Sequence, residues 1–191
     1  MTLSKSVFRV ALATGLLLLI PLVAMQFSAE MDWRLGDFVV AGTLLFGAGL
    51  AFVLMARQGN TTAYRLGVGL ALAAALLLVC ANLAVGLVGS EDNPINLLYG
   101  AVLAVAIIGA LAARFRPLGM SRAMFAAALV YVLVTAIALY VWLPSAAAEP
   151  AGLVQVLGAH AVFAALWAGA GWLFHRASAS GPRQGQGQQL A

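Results

Sequence analysis

Residues 65–115 read RLGVGLALAAALLLVCANLAVGLVGSEDNPINLLYGAVLAVAIIGALAARF. Two long apolar runs are joined by a short turn at 89–93, which carries Glu91 and Asp92 and runs into Pro94. Crossing a hydrocarbon core of about 30 Å takes roughly 20 helical residues, and each run is long enough. The turn is too polar to lie within lipid. The stretch therefore reads as a transmembrane helical hairpin, and the chain on either side repeats the theme.

Composition places the whole chain in the same class. Of its 191 residues 64% are hydrophobic and 8% charged. A soluble domain carries roughly 25% charged residues. Mean hydropathy is +1.02, so the solvent for most of this surface must be lipid. The length suffices for about six spans and short loops, with no room for a sizeable soluble domain. A net charge of +4 raises the question of nucleic acid. The basic residues are scattered singly along loops, which argues against that partner and makes them orientation signals. The single cysteine, Cys80, lies within an apolar run and has no intramolecular partner for a disulfide.

The expected spans are 10–27, 38–56, 66–88, 95–113, 123–143 and 153–174, forming one domain over 1–176. The first follows a basic start, Lys5 and Arg9, as a secretory signal would. It lacks a good small-x-small cleavage site near 24–29, so it is expected to remain as an uncleaved helix. Pro21 is expected to bend its last turns. Asp37 is expected to cap the second span. The third, 23 residues, would reach about 34 Å. Pro117 and Gly119 in the basic loop 114–122 are expected to stop helix continuation. The Gly/Gln/Ser-rich tail, 177–191, is expected to be disordered.

Charge sorting orients the spans. Six spans put Lys5, Arg9, Arg57, Arg65, Arg114, Arg116, Arg122, Arg176 and Arg183 on one side. The other side receives Arg34 and all six acids: Glu30, Asp32, Asp37, Glu91, Asp92 and Glu149. That asymmetry is the positive-inside pattern with both termini cytoplasmic. An odd number of spans would scramble it. Arg57 and Arg65 bracket one basic loop, and Arg114 and Arg122 bracket the other at the same spacing. Identity between the flanking helices is low, so the match reads as two hairpins of equal length rather than a repeat.

Candidate chemistry is sparse. Asn93 suits an N-cap with Pro94 at the first helical position, and Glu91 and Asp92 sit favourably near the positive end of the helix that follows. Adding Asn82, Asn96 and Tyr99 gives a possible polar vestibule for a cation or small polar ligand: Asn82, Glu91, Asp92, Asn96 and Tyr99. Two carboxylates from one loop are too few for a calcium or magnesium site. The apolar cores contain no Asp, Glu, Lys or Arg, the usual marks of proton relays and ion pathways. Thr14, Thr43, Cys80, Asn82, Tyr131, Thr135 and His160 remain, and their default role is interhelical hydrogen bonding. His160 and His175 are 15 residues apart, about 22 Å along one helix. They cannot share a metal, and no histidine on another span completes a bis-His haem. No metal site, cofactor or catalytic set is expected. Small residues on the second, fourth and sixth spans (Gly42, Gly47 and Gly49; Gly100, Ala104, Ala106, Gly109 and Ala113; Ala161, Ala165 and Gly169) are expected to form packing seams or a homo-oligomer interface.

Two segments, WRLGDFVVAGTLLFGAGLAF at 33–52 and ANLAVGLVGSEDNPINLLYGAVLAVAIIGALAARFRPLGM at 81–120, resemble a group of short uncharacterised bacterial multi-pass membrane proteins that share the GSEDNP turn. The similarity covers the second to fifth spans. In that group the end of the second span often carries a glutamate where this chain has Val53. The resemblance implies a bacterial inner-membrane location and supplies no reaction or substrate.

The sequence thus reads as an all-α, polytopic transmembrane helical bundle. Its expected role is that of a non-enzymatic accessory or interaction protein, associated with the bilayer and with a larger membrane complex or a second copy. A small permease or channel for an ion or small polar solute is the alternative. A membrane redox or lipid-modifying enzyme fits least.

Overall fold

The structure, a computed structural model, describes residues 3–27, 33–88, 92–146 and 150–180, with the backbone alone at 142–146 and 150–153. It is all-helical. The helices are α1 (Leu3–Ala24), α2 (Leu35–Met55), α3 (Thr62–Ala84), a 3₁₀ helix (Pro94–Tyr99), α4 (Gly100–Ala112), α5 (Pro117–Ala146) and α6 (Pro150–Ala179). Among the described residues six helical segments are long and apolar enough to cross a membrane, in the order expected from hydropathy. They fall into two compact units, 1–57 and 58–191.

The first unit is a hairpin of α1 and α2. A Cβ at Gly49 would meet Val10, and one at Gly42 would meet Leu18. Rising numbers on one helix face falling numbers on the other, so the two run antiparallel. The Arg57 guanidinium donates to Ser6 Oγ at 3.4 Å, closing the open end. Two of the expected seam glycines, Gly42 and Gly49, thus line the pairing face, while Gly47 meets nothing. α2 begins three residues earlier than Asp37 acting as N-cap would require. Arg34 is the N-cap, and Asp37 reaches back from the third position to accept its N–H at 2.7 Å. That is half of a capping box.

The second unit holds α3 to α6 around a common core. Buried residues on three helices recur at alternating three- and four-residue steps. On α3 this stripe runs Tyr64, Gly67, Ala71, Ala74 and Leu78, with Val68 buried beside it. On α5 it runs Met120, Met124, Ala127, Tyr131, Val134 and Ala138, with Ser121, Ala123 and Thr135 beside it, and on α6 His160, Phe163, Trp167, Ala170, Phe174 and Ala177, with Gly171 beside it. This is the spacing of knobs-into-holes packing between nearly antiparallel helices. Of the seam expected on α6, Gly169 packs against α3, where a Cβ would lie 3.2 Å from Leu70, whereas Ala161 and Ala165 lie on the exposed face. The other face, Leu129, Val132, Leu133 and Ile137 on α5 for instance, is exposed and apolar.

Further helix boundaries differ from the sequence reading, most of them for a local reason. α3 starts at Thr62 because Thr61 caps it, its side chain accepting Tyr64 N–H at 3.2 Å. Arg65 is therefore inside the first turns, where its exposed side chain can reach past the apolar surface. α3 ends at Ala84, not at 88, because Gly86 (φ 72°) takes the left-handed conformation that closes helices. Pro117 starts α5 instead of stopping a helix: the Arg116 carbonyl accepts the first helical bond from Met120 at 2.9 Å, and proline at the first position forfeits no hydrogen bond. α6 runs to Ala179, three residues into the expected tail; 181–191 lie outside the described residues.

The α4–α5 turn is tight. Phe115 N–H donates to Ala110 O at 3.2 Å and Arg114 N–H to Leu111 O at 2.9 Å, the bond pair of a Schellman motif. Its left-handed position is occupied by Arg114 (φ 48°), followed by Phe115 (φ 59°). Each such non-glycine residue costs about 1 kcal/mol. Close approach of the two helices follows: a Cβ at Gly109 would lie 2.7 Å from Ala123 Cβ, and one at Gly119 2.6 Å from Ala113 Cβ.

Candidate functional site

The polar groups of the second unit converge at its Asn93 end and continue inward from there. The 3₁₀ helix makes this possible. With three residues per turn, side chains three apart eclipse one another, so Asn93, Asn96 and Tyr99 form a row. Asn93 caps the helix, its Oδ1 accepting Ile95 N–H at 3.1 Å, as expected from the Asn-Pro pair. Its Nδ2 also donates to Val88 O at 3.3 Å.

Asn96, 3% exposed, holds the loop that leaves α3. Its Oδ1 accepts Leu87 N–H at 3.1 Å and Val88 N–H at 3.0 Å. Its Nδ2 donates to Val88 O at 3.4 Å. Asn82, from the last turn of α3, donates through Nδ2 to the Asn96 carbonyl at 3.3 Å. Asn82 Oδ1 is buried with no hydrogen-bond partner among the described residues.

One turn further in, Tyr99 is 1% exposed, and its hydroxyl lies 3.4 Å from Thr135 Oγ1. Its ring stacks on His160, centroids 5.8 Å apart and planes 12° from parallel. His160 Nδ1 lies 2.7 Å from the Tyr131 hydroxyl and 3.4 Å from Thr135 Oγ1. Two hydroxyl groups converging on one ring nitrogen favour Nδ1 as the acceptor, which leaves the ring proton on Nε2. The Leu87 backbone faces this ring, but Nε2 makes no hydrogen bond of acceptable geometry to any described residue. Trp167 Nε1, two turns along the same buried stripe of α6, is likewise unpaired. An unmade hydrogen bond of this kind costs about 1–3 kcal/mol.

Of the five residues expected to form a vestibule, Asn82, Asn96 and Tyr99 are brought together. Asp92 is exposed at the mouth of the row, and Glu91 lies outside the described residues. Asn96 and Tyr99 spend their polar atoms on the protein itself. Tyr131, Thr135 and His160 complete the cluster. The sequence marked each of them as an intramembrane polar group, but nothing linear joins α5 to α6. Cys80 faces outward, and Thr43 bonds back to Val39 O at 2.7 Å within α2. Among the described residues no group of three His, Cys, Asp or Glu side chains is placed to hold a metal ion. The cluster holds no Asp, Glu, Lys or Arg, and its side chains bond chiefly to one another and to the neighbouring backbone.

Fold and site together define an all-helical protein of multi-pass membrane type, with a polar cluster enclosed by its last four helices. No protein-family model, curated protein or solved structure matches the chain.

Proposed function

We propose that this chain is a six-span protein of a bacterial inner membrane, both termini cytoplasmic, acting as a non-enzymatic accessory protein to a larger membrane complex. The observation behind the accessory reading is the surface of the first hairpin. α2 buries no residue, and α1 buries Pro21 alone among its described residues. Phe8, Leu12, Leu16, Val39, Val40 and Phe52 are exposed. Gly36 and Gly47 have open space beside them, which permits close approach of another helix. Orientation rests on the arginines, now placed at helix ends: Arg65, Arg114, Arg116 and Arg176 at one end of the second unit, Asp92 at the other. Reporter fusions inserted beside Asp92 and after Arg183 test it, and activity on the same face would refute six spans. Affinity capture of tagged protein in mild detergent, with mass spectrometry, tests the accessory role. A stoichiometric partner that is lost on Gly47→Leu supports it; purification as a partner-free monomer refutes it.

The alternative, a small permease for an ion or small polar solute, is favoured by one observation: the row Asn93, Asn96, Tyr99 leads inward to Thr135 and His160. Under this reading Asn82, Glu91, Asp92, Asn96 and Tyr99 line its outer mouth. Solute flux into proteoliposomes that falls on His160→Phe would establish it, and flux equal to that of empty vesicles would exclude it.

A further inference from the structure

The opposite end of the second unit carries a different feature. Tyr64 is fully buried and acts as a hub for three chain segments. Its hydroxyl donates to the Phe115 carbonyl at 2.7 Å. Its ring meets Phe174 edge-on, centroids 5.3 Å apart. Each hub residue has an arginine beside it: Arg65 follows Tyr64, Arg114 and Arg116 flank Phe115, and Arg176 lies two beyond Phe174. Arg122 stands in the second turn of α5. All five are exposed. No acidic residue occurs in 58–90, 93–148 or 150–191, so these segments offer the guanidinium groups no carboxylate. Arg176 instead covers the Trp172 ring at 4.7 Å.

Arg114 is the telling residue. It occupies the left-handed position of the Schellman turn, where glycine is the usual and unstrained choice. Strain held in a local conformation points to a use for the side chain. The Tyr64 bond to the next residue's carbonyl ties that turn to the first turn of α3.

We propose that this end is a binding surface for the phosphodiester headgroup of an anionic phospholipid, held by Arg65, Arg114 and Arg116 with Arg122 and Arg176 at its margin. Guanidinium groups match phosphate oxygens bidentately. The helix ends place them at headgroup level, and an anionic leaflet attracts such clusters. The inference goes beyond the accessory reading and needs only that the bundle sits in a bilayer.

The test uses the full chain in neutral detergent, with equal phosphatidylglycerol and phosphatidylcholine added and retained lipid read by native mass spectrometry. Wild type retains phosphatidylglycerol in preference. Arg65→Gln/Arg114→Gln/Arg116→Gln, with helicity verified by circular dichroism, reduces that preference on the order of 100-fold, and Arg34→Gln leaves it unchanged. If the triple variant does not fold, Arg116→Gln/Arg122→Gln serves, with a reduction of roughly tenfold or more. Equal retention of the two lipids by wild type, or a preference that survives these variants, overturns the proposal. Displacement of the lipid by millimolar inorganic phosphate also overturns it, in favour of free phosphate as the ligand.

Discussion

Replacing Asn96 by alanine isolates what holds the loop between α3 and the 3₁₀ helix. The substitution removes an acceptor shared by Leu87 N–H at 3.1 Å and Val88 N–H at 3.0 Å, and a weaker donor to Val88 O at 3.4 Å. Val88 is 1% exposed, so its N–H is left buried and unpaired, at about 1–3 kcal/mol. Leu87 is half-buried and can be met by water, so its loss is that of an ordinary bond, about 1 kcal/mol. The sum is about 2–4 kcal/mol. Interhelical side-chain bonds in membranes average about 0.6 kcal/mol, which would give only about 1 kcal/mol for the same two bonds. The larger figure is expected because the orphaned groups are backbone amides in a loop with no ladder to rejoin. Asn82→Ala is the internal control: it removes one bond of 3.3 Å from a half-buried side chain and should cost about 0.6 kcal/mol. The measurement is reversible unfolding in mixed micelles as the fraction of denaturing detergent rises, followed by far-UV circular dichroism. If Asn96→Ala costs no more than Asn82→Ala, the loop is held by something else and the reasoning fails.

Further outcomes follow from packing and from the turn. Gly109→Ala places a methyl 2.7 Å from Ala123 Cβ and 3.3 Å from its Cα, where nothing flexible can yield, and should destabilise by about 1–3 kcal/mol in the same unfolding assay. Gly42→Ala meets only the tip of Leu18 at 3.3 Å, a side chain that can rotate away, so its effect should stay within about 0.5 kcal/mol. Arg114→Gly relieves the left-handed strain and should stabilise by about 1 kcal/mol; a loss of stability would show that the side chain holds the turn. Tyr131→Phe deletes the 2.7 Å contact to His160 Nδ1, and ¹⁵N NMR of labelled histidine should show an unprotonated Nδ1 in wild type whose resonance moves in the variant. A protonated Nδ1 in wild type would reverse the tautomer deduced from the two hydroxyls.

The parts of the site that lie close together in the chain were legible. Asn93-Pro94 reads as a helix start because its chemistry is complete within three residues, and the structure has that cap. Asn82, Asn96 and Tyr99 were drawn together because the turn between their spans is short. What they would do was not legible. The 3₁₀ turn between Pro94 and Tyr99 lines up residues three apart, and an α-helix would have fanned them. Likewise Gly86 reads as one more small residue in an apolar run until its backbone angle is known.

The number and order of the helices long and apolar enough to cross a membrane were legible in the sequence alone, because transfer from water to lipid acts residue by residue and needs no neighbour. Which face of each helix turns inward was decided only by the tertiary structure. Lipid is as apolar as leucine, so hydropathy is nearly uniform around these helices, and close packing, not hydrophobicity, selects the buried stripe. That selection put Ala161 and Ala165 outside and His160 inside. It brought Tyr131, Thr135 and His160 to Tyr99, and Phe115 and Phe174 to Tyr64, through contacts between residues that only folding makes neighbours.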